Sequence, residues 1–286
     1  MHKGFCLLAL LAVISRPVVR GQIVDPQYVT FIGAESAAAQ LKWNVCAILL
    51  ATMKANRAGM NDWEQVGSGF FINQFIGTPE SLKQGSRPLA ITCNHVAASG
   101  RKKGKDVFVG IETTRGFDVA FGTLLYADTT NDIAVLDMKV GPGITNINNV
   151  TAWTNTFGDE SKIVEGRGVL LVGYPLGAGI ENGTNRPIVR FGMVAQKTPG
   201  SKFLIDAMAS HENSGSPVYA LTPNGPYLLG MALGFRGETI NLFDETGRLA
   251  ASLPYNSGLA EVVKTSYIID AVKAASFLRP GGSGTH

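Results

Sequence analysis

Histidine is scarce in this chain, four in 286 residues, and cysteine is scarcer, with three. That leaves little material for a metal centre: Cys93 and His95 stand close in sequence, but no second Cys/His cluster follows at zinc-ligand spacing, and no metal is expected. Charge is sparse too, at 16% of residues with a net charge of +3, and neither an acidic nor a basic tail stands out. So mild a charge carries little information about a nucleic-acid or anionic-membrane partner, and no nucleic-acid partner is expected. The cations of RKKGK at 101–105 read as a solvated loop. GYPLGAGIENG lacks the G-x-G-x-x-G spacing of a phosphate cradle and reads as a loop between strands. Beyond the first residues no apolar run approaches the length of a membrane span.

Apolar residues, at 45%, and glycine, at 34 residues, are what the chain has in quantity. Glycines and 13 prolines punctuate short runs of Val, Ile, Leu and Phe, the pattern of many strands joined by turns. Strands are predicted at 45–53, 67–73, 88–93, 106–113, 117–126 and 132–138, forming a first barrel over 45–140. A Gly/Asn/Thr-rich connecting segment at 141–159 follows. A second set at 168–173, 187–196, 202–208, 217–221 and 226–235 belongs to a second barrel over 160–262. The expected fold class is all-β, two antiparallel six-stranded β-barrels, closed by a C-terminal α-helix over 263–278. In that helix Ile268, Ile269, Val272 and Ala275 recur at helical spacing after Ser266 as N-cap. Residues 279–286 read as a tail.

The N-terminus begins with Met1, His2 and Lys3, followed by GFCLLALLAVIS and then Arg16, Pro17 and Arg20. A basic start before an apolar run too short to cross a bilayer predicts a signal peptide over 1–21, and so a secreted or periplasmic protein. Residues 22–44 are then a leader or an N-terminal helix, and their removal would make the chain a zymogen. Loss of the signal takes Cys6 with it, leaving Cys46 and Cys93 either as a disulfide allowed by an oxidising compartment or as two buried thiols.

A serine hydroxyl attacks a carbonyl only with a base in reach and a third group to orient that base. Of the four histidines, His2 leaves with the signal and His286 lies in the tail. His211 is three residues before Ser214, where a tight turn restricts its approach to that hydroxyl. His95 is therefore the expected base. It ends the apolar strand AITCNHVA, Asp132 opens the run NDIAVLDM, and Ser214 sits in the turn SHENSGSPVY, so three strand boundaries can converge.

The segments GSGFFI, ITCNHVA, NDIAVLDM, LLVGYPLGAG, RFGMVAQ, FLIDAMASHENSGSPVY and YLLGMALGF occur in the order found in trypsin-like serine peptidases. They resemble the HtrA-like and glutamyl-endopeptidase-like bacterial branches, over roughly residues 45–275; no PDZ-like stretch follows the second barrel. The resemblance implies a secreted serine endopeptidase that acts on a polypeptide without metal or organic cofactor. In it His95 is base then acid, Asp132 orients His95, and Ser214 is the nucleophile. The main-chain N–H groups of Glu212 and Ser214 would bind the oxyanion, and Met208, Ala232 and Gly234 would line an apolar primary pocket. Glu212 departs from the family, which usually has glycine there. Its side chain bears on the backbone conformation and its carboxylate opposes a developing negative charge. The alternative is a catalytically weak or inactive relative that binds peptides without cutting them.

Overall fold

The computed structural model describes residues 34–55, 61–72, 88–101, 106–113, 116–139, 157, 159–175, 186–222 and 225–278. The expected signal peptide, most of the connecting segment and the tail lie outside the described residues. Helix α1 (Ala34–Leu41) and a 3-10 turn at Lys42–Asn44 lead into the first barrel. Its strands are β1 (Val45–Ala55), β2 (Asn61–Ile72), β3 (Leu89–Cys93), β4 (Asp106–Thr113), β5 (Gly116–Asp128) and β6 (Ile133–Lys139), with the short helix α2 (Asn94–Gly100) after β3. The second barrel comprises β7 (Gly168–Gly173), β8 (Ile188–Lys197), β9 (Lys202–Asp206), β10 (Pro217–Thr222), β11 (Gly225–Phe243) and β12 (Leu249–Lys264), and helix α3 (Thr265–Phe277) follows it.

Both barrels are closed and antiparallel, with neighbours in the order β1-β2-β3-β6-β5-β4 and β7-β8-β9-β12-β11-β10. The same winding is used twice, a repeat that has no counterpart in the sequence. Closure removes the unpaired sheet edges that would otherwise template aggregation.

Strand β7 shows why its residues GVLLVG form one continuous apolar run rather than an alternating one. Val169 and Leu171 point into the second barrel's core, whereas Leu170 and Val172 join a cluster that is continuous with the first barrel's core. Both faces of the strand are buried, so both demand apolar side chains. The barrels thus share one apolar interface. Helix α3 spans it, packing on β5 and β6 of the first barrel and on β11 and β12 of the second. Ile268, Val272 and Ala275 are buried as their spacing predicts. The expected cap is not formed: Lys264 precedes the helix without a side-chain cap, and the Ser266 hydroxyl instead donates 2.9 Å to Glu160.

The largest addition to the sequence reading is a β-ribbon. Strand β11 runs past residue 235 to Phe243 and pairs from Gly230 onward with β12, a strand that the sequence pattern did not single out. Ile240, Leu242, Leu253 and Tyr255 are exposed there, so burial imposes no alternation that a pattern could report. Cys46 and Cys93 are both buried free thiols, which decides between the two alternatives left open above.

Candidate active site

The candidate base and the candidate acid that would orient it come from two neighbouring ends of the first barrel. Strand β3 is buried along its whole length and stops at Cys93, and His95 is the second residue of α2. Asp132 closes the turn between β5 and β6. That turn is shaped by Asp128, whose Oδ1 accepts the N–H groups of Thr130 (2.9 Å) and Asn131 (3.0 Å). It delivers Asp132 in the left-handed region, φ 58°, which a short polar side chain tolerates better than most. The two segments then lock together. Asn94 N–H donates 3.1 Å to the Asp132 carbonyl, and His95 N–H donates 2.9 Å to Asp132 Oδ1. His95 Nδ1 lies 2.6 Å from Asp132 Oδ2. Burial alone would raise the Asp132 carboxyl pKa, but the bonds from the His95 ring and from the His95 and Asn94 N–H groups, with the attraction of the imidazolium, hold it below its ordinary value. With Nδ1 committed to the acid, Nε2 is the ring nitrogen left for proton transfer.

The nucleophile candidate stands on the turn between β9 and β10. Asn213 N–H donates 3.2 Å to the Ser210 carbonyl, and the third residue of that turn, Glu212, has φ 69°. This is the sign pattern of a type II turn, a position that ordinarily asks for glycine. Glu212 therefore does adopt the backbone conformation that its side chain disfavours, at a cost of about 1 kcal/mol. Gly215, with φ 91°, follows Ser214, and a Cβ there would lie 1.9 Å from the Ser68 carbonyl. Only glycine allows this approach of the second barrel to the first.

His95 and Ser214 face one cleft of about 540 Å³ between the barrels. Glu64, Gln65, Val66, His95 and Ser99 line it from the first barrel, and Ser210, His211, Glu212, Ser214, Gly234 and Phe235 from the second. Asp132 stands behind His95. The Ser214 hydroxyl donates 2.7 Å to the Leu233 carbonyl, so it is turned toward that acceptor rather than toward His95. The His211 ring stands edge-on to Phe235 with centroids 5.2 Å apart. Of the three residues expected in the primary pocket, Gly234 lines the cleft, and a Cβ there would lie 3.9 Å from Ser214 Oγ. Met208 is 62% exposed and Ala232 is fully buried in the second-barrel core, and neither lines this cleft.

Cys93, His95 and Asp132 each place one potential ligand atom within 4.8 Å of the others. The set does not suit a metal. An ion would have to displace the His95–Asp132 bond, and burial, reinforced by the Asp132 charge, pushes the Cys93 thiol pKa well above its ordinary value, away from the thiolate a metal needs. The thiol points instead at the Ala232 carbonyl, 3.4 Å away.

Sequence reasoning passed over Ser68. This fully buried residue of β2 donates its main-chain N–H to the Ser214 carbonyl at 2.9 Å and its hydroxyl to the Glu212 carbonyl at 2.9 Å. Its motif, GSGFFI, was legible as a segment, but nothing local marks the serine as a partner of a turn some 150 residues away.

The family model described as a trypsin-like peptidase domain matches residues 67–224, more than half of the chain. Among solved structures the chain is similar to an HtrA-type protease, AlgW, with a decapeptide. The identity is 16%, the match covers 86% of this chain and 67% of that one, and the TM-score is 0.52. It is also similar to the MamO protease domain from Magnetospirillum magneticum in its apo form, at 17% identity over 81% of this chain and 96% of that one, with a TM-score of 0.47. No curated protein matches the sequence.

Proposed function

The chain belongs to the trypsin-like peptidase domain family, and from that premise we propose that it is a serine endopeptidase with His95, Asp132 and Ser214 as its catalytic triad. The observation that carries this reading is the doubly held His95, oriented by Asp132 through both ring and main chain, facing a serine across one cleft. In the reaction the Ser214 side chain turns from the Leu233 carbonyl to His95 Nε2, which accepts its proton as Oγ bonds to the substrate carbonyl carbon. The N–H groups of Glu212 and Ser214 stabilise the oxyanion. His95 then gives the proton to the departing amine as the C–N bond breaks, and water releases the acyl group by the same steps in reverse. The scheme requires no metal or organic cofactor.

Gly234, Phe235 and Val66 form the apolar part of a cleft whose other lining residues are polar or charged. They support a preference for aliphatic or medium-sized side chains that is broad because methylene-scale discrimination is weak. The Glu64 and Glu212 carboxylates at the same cleft favour basic residues beside the scissile bond. The short N-terminal apolar run supports export, and N-terminal sequencing of secreted material tests it.

Labelling by a fluorophosphonate, compared with Ser214→Ala and His95→Ala, tests the triad. Wild type labels and both variants lose labelling. A folded wild type that does not label favours the second reading, a peptide-binding relative, whose support is the glutamate at position 212 and the hydroxyl bonded to Leu233.

A further inference from the structure

Ser68 bridges the two residues whose N–H groups are assigned to the oxyanion, and it does so from the opposite barrel. Its N–H takes the Ser214 carbonyl and its hydroxyl takes the Glu212 carbonyl, both at 2.9 Å. The hydroxyl has no freedom to choose otherwise. Tyr174 N–H, which can only donate, occupies its acceptor side at 3.0 Å, so its own hydrogen is left for Glu212. The Ser68 carbonyl is held in turn by the Thr92 hydroxyl at 2.6 Å, on the strand that leads to His95. The Glu212–Asn213 peptide is thereby pinned at both ends, its oxygen by Ser68 and its N–H by the Ser210 carbonyl.

On the serine-peptidase reading above, we propose that Ser68 is a positioning residue: its hydroxyl fixes Glu212 in place relative to Ser214, and so sets the spacing and aim of the two oxyanion donors. A glycine at position 212 would rest in the left-handed region without help, whereas this chain has a residue that does not. The clamp from the first barrel keeps that costly turn in register. Removing the hydroxyl leaves the Glu212 carbonyl and the Tyr174 N–H without their partner, and the turn relaxes.

The test is a double-mutant cycle of Ser68→Ala and Glu212→Gly in the full-length protein, read by peptide-substrate kinetics, by inhibition with a peptide boronate and by thermal unfolding. Ser68→Ala lowers kcat about 10- to 100-fold with KM nearly unchanged, and weakens the boronate, which mimics the tetrahedral intermediate, by a similar factor. In the Glu212→Gly background the same substitution costs several-fold less. Equal losses in both backgrounds, or a loss confined to KM or to melting temperature, overturn the positioning role while leaving the triad standing. A wild type inert to both substrate and fluorophosphonate overturns the underlying reading instead.

Discussion

Asp132 holds His95 twice, through the ring at Nδ1–Oδ2 2.6 Å and through the main chain at N–Oδ1 2.9 Å. The two bonds have separate consequences, because one fixes the tautomer and the other fixes where the helix carrying the ring begins. Replacing Asp132 by Asn keeps an acceptor for the main-chain N–H but offers the ring the wrong partner. Asp132→Asn is expected to lower kcat by about 10⁴, as amide replacement does in such triads, with little change in KM or fold. Steady-state kinetics alongside circular dichroism checks this.

The same carboxylate makes stability depend on pH. Its pKa is lower in the folded chain than its ordinary value of 3.8, so it binds a proton more readily when unfolded. Its contribution is present above that ordinary value and is lost as pH falls through the depressed one. Urea unfolding at pH 6 and at pH 3 should show wild type losing more stability than Asp132→Asn over that interval. An identical loss in the two proteins would refute the linkage.

Gly215→Ala places a methyl group 1.9 Å from the Ser68 carbonyl and 2.6 Å from Thr92 Oγ1, at a φ of 91° that alanine resists. Overpacking and backbone strain together should cost roughly 3 kcal/mol or more. Thermal unfolding measures it, and an unchanged midpoint would mean that the barrels can separate locally without penalty.

Cys46 and Cys93 should both resist alkylation in the native protein. They are fully buried, and burial drives both thiol pKa values up, with the Asp132 charge adding to the effect at Cys93. Mass spectrometry after iodoacetamide treatment should find both unmodified at neutral pH and both modified in denaturant. Native-state labelling of Cys93 would show that the region behind the His95–Asp132 pair opens to solvent.

The catalytic candidates were legible because each sits at the end of an apolar run, where burial stops and a polar side chain can emerge. Strand β7 was legible for the opposite reason, since two buried faces leave no polar position in its middle. Exposure hid the ribbon, and separation along the chain hid Ser68. Ser266 shows a third kind of miss: the helix starts at Thr265, one residue before the expected cap, so Ser266 lies inside the first turn and its hydroxyl goes to Glu160, 106 residues away. The pocket residues were inferred from the nucleophile turn and β11. Regular alternation would have put Ala232 and Gly234 on one face, but a register shift between them in the pairing with β12 leaves Ala232 in the core while Gly234 reaches the cleft.

The bond from Ser68 to Ser214 also bears on the order in which the protein is made. Synthesis proceeds from the N-terminus, so the first barrel can complete its histidine–aspartate pair while the nucleophile turn is still unmade. That turn, once formed, takes part of its clamp from a surface formed earlier. On the serine-peptidase reading, hydrolytic power appears only at the last step of assembly, when the halves close on each other. A partly folded chain, rich in exposed peptide bonds, is thereby spared attack by its own kind.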